Sequence, residues 1–222
     1  MKNKINKILS LLAICTSLYG LSASATEPVI KRWKTFDSMG CMMLGDCTDG
    51  VQEIKSWEDL GSHYKPFSAE LTQLISAANN AGIKIYLAED KYFVMMTRGL
   101  YSTTNNNFFL NKKYINDPLM MTKVVRHEGW HAVQDCMAGT IDNTFTAVVL
   151  QDGVVPDWIK RGAEATYPAH AVPFEAEAMY AAFDDKMTIE GLKACASDTP
   201  MWSVYKPTPL TKKWLIKEGY YK

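Results

Sequence analysis

The segment from Asp117 to Gly139 constrains this 222-residue chain more than any other. Asp117-Pro118 is a strong helix start: an acidic capping side chain, then proline at the first helical position, where no amide hydrogen is needed. Gly139 supplies a stop. The spacing therefore predicts one helix from Pro118 to about Met137. His127 and His131 lie four residues apart, so both imidazoles fall on one face, one turn from each other. Glu128 is rotated by about 100° around the axis from His127. Two nitrogens so placed can bind one zinc ion, with the carboxylate facing a water on that ion without becoming a ligand. The ion lowers the water's pKa, and Glu128 accepts the proton as general base and can return it to a leaving amine.

Such a site needs a third protein ligand and one open position. Glu175 and Glu177, in Phe174-Glu175-Ala176-Glu177-Ala178, are candidates on a later predicted helix. Two residues apart on a helix, they point in widely different directions, so only one should reach the metal. Asp142, in Gly139-Thr140-Ile141-Asp142, competes with them. Tyr167 and His170 precede the glutamate helix, and either is a candidate to hydrogen-bond a developing oxyanion. Gln134 and Asp135 follow His131 at three and four residues, where one could orient an imidazole. His63 is isolated and reads as structural. Gly129 inside the helix is explained by close packing of a sheet against it, or by simple tolerance.

Elsewhere the pattern predicts a helix over 69–81 ended by Gly82, a strand over 83–88, a second over 92–96, and a hairpin of 99–103 with 107–111 around an Asn-rich turn. Helices are expected over 174–184, 188–196 and 210–220, whereas 143–151 is apolar without a clear assignment. Residues 26–67 read as an irregular segment ahead of one domain over 68–222, with turns marked by Gly40, Gly45, Gly50 and Gly61. The class is α+β, a small and mostly antiparallel sheet packed on the histidine helix with further helices after it.

The sequence His127-Glu128-Gly129-Trp130-His131, followed by a glutamate on a later helix, resembles the gluzincin clan of zinc peptidases. The order of Gly99-Leu100-Tyr101, Asn107 to Leu110 and then the histidine helix is similar to that clan's edge strand and active-site helix. The resemblance implies a zincin-like fold, peptide-bond hydrolysis and an edge strand that aligns a peptide or protein substrate. Some members carry their glutamate ligand in a Glu-x-x-Ala pattern. Glu175 matches it through Ala178, while Glu177 has Tyr180 at that place. The resemblance thus implies His127, His131 and Glu175 as zinc ligands, with Glu128 as the base. It covers about residues 82–184 and is specific only at the two histidines and their glutamate. The metzincin pattern fails at Gln134 and Met137, and the aspzincin pattern fits Gly139 to Asp142 but not Phe145-Thr146.

Lys2, Lys4 and Lys7, the apolar run from Ile8 to Leu21, and Ala23-Ser24-Ala25 read as a secretory signal peptide over residues 1–25, shorter than a membrane span. Its removal takes three of the 24 basic side chains and none of the 24 acidic ones, leaving a formal charge of −3. No basic stripe points to nucleic acid. Cys41, Cys47, Cys136 and Cys195 remain, an even number suited to an oxidising compartment, periplasmic or extracellular. Cys41–Cys47 and Cys136–Cys195 are the favoured pairings of the three available. The rivals to an enzyme are a non-catalytic zinc-binding protein and a disulfide-stabilised exported interaction protein.

Overall fold

The computed structural model describes residues 38–94 and 96–222, so the signal peptide expected over 1–25 lies outside the described residues. Residues 38–43 are helical. The strands are β1 (Val51–Ile54), β2 (Lys84–Ala88), β3 (Gly99–Ser102) and β4 (Asn107–Asn111). The helices that follow are α1 (Ser68–Asn80), α2 (Pro118–Met137), α3 (Asp157–Thr166), α4 (Val172–Ala181), α5 (Met187–Cys195), α6 (Met201–Val204) and α7 (Pro209–Lys217). The sheet order is β1-β2-β4-β3. β1 and β2 pair antiparallel, β2 and β4 parallel, and β3 and β4 form the antiparallel hairpin, with Ser102 opposite Asn107. The α+β class holds, and the sheet is mixed.

Alternation along the strands divides two cores. Ile85, Leu87, Phe108 and Leu110 face inward onto α1, α2 and α5, with Leu71, Val125 and Leu192. Ala88, Leu100 and Phe109 face outward, where Met39, Met42, Tyr92 and Phe93 cover them. Both expected disulfides form: Cys41–Cys47 closes the loop over that outer face, and Cys136–Cys195 ties the end of α2 to the end of α5.

Three expectations need correction. The segment read as irregular over 26–67 contains β1, whose four residues are too few to show a period. Among the described residues of 92–96 no strand forms: Tyr92 and Phe93 are both buried as a plug on the outer face, and Tyr92 Oη donates to Asp49 O (2.7 Å). Helix α3 was not anticipated, although Pro156-Asp157 and the buried pair Ile159 and Ala163 are a start signal and a helical face.

Helix α2 begins as expected, with the Asp117 side chain accepting from Met120 N (3.0 Å), and it is buried on most sides. Gly129 meets another helix rather than the sheet: a Cβ there would sit 2.7 Å from Thr188 Cγ2 on α5. The sheet's close approach is at Gly99, where a Cβ would lie 2.5 Å from Val124 Cγ1 and 2.7 Å from Glu128 Oε1. Strand β3 runs along α2 in the same sense, from Gly99 beside Glu128 to Tyr101, whose Oη donates to Asp135 Oδ2 (2.8 Å). Helix α4 runs the opposite way. Phe174 O near its start accepts from Gln134 Nε2 (3.0 Å), and Ala182 O at its end accepts from Arg126 Nη1 (3.0 Å).

Candidate metal centre

Between β3 and α4, with α2 as its floor, lies a cleft of about 560 Å³. His127, His131 and Glu175 converge in it, each offering one ligand atom, all within 4.8 Å of one another. The two Nε2 atoms are 3.2 Å apart, and Glu175 Oε2 lies 3.2 Å from His127 Nε2 and 3.7 Å from His131 Nε2. The oxygen is buried and, at these angles, accepts no hydrogen bond. These charges polarise one another. Burial pushes Glu175 up, but His131 and His127 hold it at about 2. Burial pushes His131 down, yet Glu175 raises it to about 9.

The hydrogen bonds around His131 fix which nitrogen faces the cluster. Gln134 Nε2 lies 2.9 Å from Glu177 Oε2 and 3.0 Å from Phe174 O, both acceptors. The amide nitrogen must point there, which turns Gln134 Oε1 toward His131 Nδ1 at 2.9 Å. Nδ1 therefore donates, and Nε2 is the nitrogen aimed at His127 and Glu175, carrying the lone pair whenever His131 is neutral. A buried acceptor without a donor, beside a directed imidazole lone pair and a second imidazole, is a nitrogen–nitrogen–oxygen donor set that fits zinc.

Glu177 is turned away from this cluster, as two residues' separation on α4 requires. Its carboxylate accepts from Val149 N (3.0 Å), Leu150 N (2.6 Å), Gln134 Nε2 (2.9 Å) and Trp130 Nε1 (3.4 Å). Burial nonetheless pushes its pKa up. The glutamate thereby satisfies two main-chain amides of the unassigned stretch over 143–151 and joins it to α2.

Glu128 is buried beside the cluster and accepts the backbone N–H of Tyr101. Burial raises its pKa, against the lowering by His127 and His131. That strand-to-helix bond carries no sequence signal, since it uses a main-chain donor. Arg126 is a second unforeseen contributor, forking onto Glu70 (2.5 and 2.8 Å) while it holds the end of α4.

The other candidates scatter. Asp142 is exposed and outside the cluster. Tyr167 lines the cleft, whereas His170 is exposed and does not. Asp135 turns to Tyr101, so Gln134 is the residue that meets an imidazole. His63 Nε2 lies 3.0 Å from Ile115 O, a structural contact. Comparisons with family models, with curated proteins and with solved structures found no match to this chain.

Proposed function

We propose that the chain is an exported, zinc-dependent peptidase of zincin-like fold, acting on peptide or protein substrates, with His127, His131 and Glu175 as metal ligands and Glu128 as general base. The observation that carries this reading is the meeting of those three donor atoms within 4.8 Å, with the carboxylate oxygen otherwise unpartnered. Two disulfides favour an oxidising compartment, and among the described residues no helix is long and apolar enough to cross a membrane.

A zinc ion held there would supply Lewis acidity and a water of lowered pKa. The chain's own residues do the rest. Glu128 takes the proton from the attacking water at its carboxylate, whose raised pKa strengthens it as a base, and delivers that proton to the leaving nitrogen. Arg98 O and Ser102 O accept from Asn111 N and Asn106 N, so the even residues of this segment face β4. Gly99 therefore turns its main-chain N–H and C=O, and Tyr101 its C=O, toward the cleft, an edge along which an extended peptide can pair. Tyr167, which lines the cleft, is the candidate to hydrogen-bond a developing oxyanion.

Zinc content of the mature protein tests the reading. About one zinc per chain is expected, lost in His127→Ala and in Glu175→Ala. Glu128→Gln should keep the metal and lose roughly 10²–10⁴-fold in peptide hydrolysis. A folded, zinc-supplemented wild type that holds no zinc would remove the peptidase reading, and undiminished hydrolysis by Glu128→Gln would remove Glu128 as base.

A further inference from the structure

The two ends of the cleft differ in chemistry. Met120, Lys123, His127 and His131 follow one face of α2, so Lys123 stands one turn before the first histidine. Arg98 precedes β3 on the facing wall, and Met179 and Phe183 close this end from α4 and beyond it. The other end is lined by Thr103, Thr146, Thr166 and Tyr167.

Lys123 Nζ sits 4.9 Å from the Phe183 ring, and the Arg98 guanidinium 5.2 Å from the Tyr114 ring. Among the described residues neither cation has a carboxylate partner. The acids lining the cleft, Glu128 and Glu175, belong to the metal site. The nearby Asp184 is turned to its own helix start, accepting from Lys186 N (2.8 Å) and Met187 N (2.9 Å), and Asp185 acts on Arg126. Met96 and Phe183 are exposed at this rim, at 64% and 55%. Aromatic faces lie against these cations without neutralising them.

We infer that the cleft selects peptide segments bearing a carboxylate beside a large apolar side chain, the carboxylate drawn to Arg98 and Lys123 and the apolar group lying against Met120 and Phe183. One helical turn separates Lys123 from His127, about 6 Å along the axis. An extended chain advances about 3.3 Å per residue, so the carboxylate belongs within about two residues of the bond cleaved. An aspartate or glutamate side chain supplies this chemistry, and so does a chain's C-terminal carboxylate. The inference rests on the peptidase reading for the reaction, whereas its test reads binding.

The probes are fluorescein-labelled, N-acetylated hexapeptides alike except for Glu, Gln or Lys next to a phenylalanine, each made with a free or an amidated C-terminus. Anisotropy titrations use the full mature chain as wild type and as Glu128→Gln, with zinc content measured on the same preparations. Glu peptides should bind at least about 10-fold tighter than their Gln isosteres, and the gap should narrow in about 0.5 M salt. Free against amidated C-termini separates the two sources of carboxylate. The preference should vanish in Arg98→Gln with Lys123→Gln, and reverse toward Lys peptides in Arg98→Glu with Lys123→Glu. Equal binding of the three peptide types, no binding at all, or a preference that survives the folded Gln variants overturns the inference. A carboxylate preference in a protein without zinc leaves this inference standing and removes the peptidase reading. Zinc with Glu128-dependent hydrolysis but no carboxylate preference does the reverse.

Discussion

Gln134 has three polar contacts and is fully buried, which makes its replacement informative. Gln134→Met keeps the volume but removes the acceptor that holds His131 Nδ1. Zinc affinity in a competition titration with a chelator should fall about 10–100-fold. Asp135, next in sequence, tests electrostatics instead. Burial raises its pKa from 3.8 to about 8, partly offset by the bond from Tyr101 and aided by Asp142. The folded chain thus keeps a proton that the unfolded chain releases near 3.8. The stability this group contributes is complete below that value and is lost as pH rises through about 8. Urea unfolding at about pH 5 and pH 8 should therefore show the wild type losing more stability than Asp135→Asn over that interval. The pair of histidines and Glu128 were legible from spacing alone, because a helix has one period. The choice between Glu175 and Glu177 was not, since both are acidic, helical and buried. Only the position of Val149 and Leu150, 28 and 27 residues before Glu177 in the chain, shows what Glu177 bonds to.

At the scale of elements, α2 and α5 approach at a glycine contact. Gly129→Ala gains helix propensity of about 1 kcal/mol, but its Cβ would fall 2.7 Å from Thr188 Cγ2. The clash should win, with a net loss of about 1–3 kcal/mol in denaturant unfolding. Thr188→Ser removes that methyl and keeps the hydroxyl that donates to Arg126 O (2.9 Å), so it should restore stability in the Gly129→Ala background. The same two helices share a disulfide that spans 59 residues, against 6 for Cys41–Cys47. Loop entropy then predicts losses of about 4 and about 2 kcal/mol when each pair is replaced by serine, again read by unfolding. The capped helix α2, the periodic α1 and the β3–β4 hairpin around its turn could be read from sequence. Strand β1 could not, because its pairing to β2 is set by partners more than thirty residues away. The parallel pairing of β2 with β4 was equally hidden: it follows from how the chain returns, and no residue marks it.

In the whole molecule, two buried layers on either side of the sheet leave β3 at its edge, and the cleft opens along that edge. Arg98, the histidine helix and Glu175 come from segments that are distant in sequence, so the polarity of this cleft exists only after folding. One connection reaches further than its size suggests. The stretch over 143–151 lacks regular structure, yet Ala147 N donates to Gln134 O (2.9 Å) and Glu177 grips the amides of Val149 and Leu150. These anchors are all main-chain donors, indifferent to the side chain that each residue carries. Ala147 and Val149 are held in the core by their side chains as well, so it is the positions between and before them that can drift in sequence while the gripped amides stay in place, so long as no proline removes one. Thr146, the residue of this stretch that lines the cleft, is thereby free to vary without loosening the helix that carries Glu175.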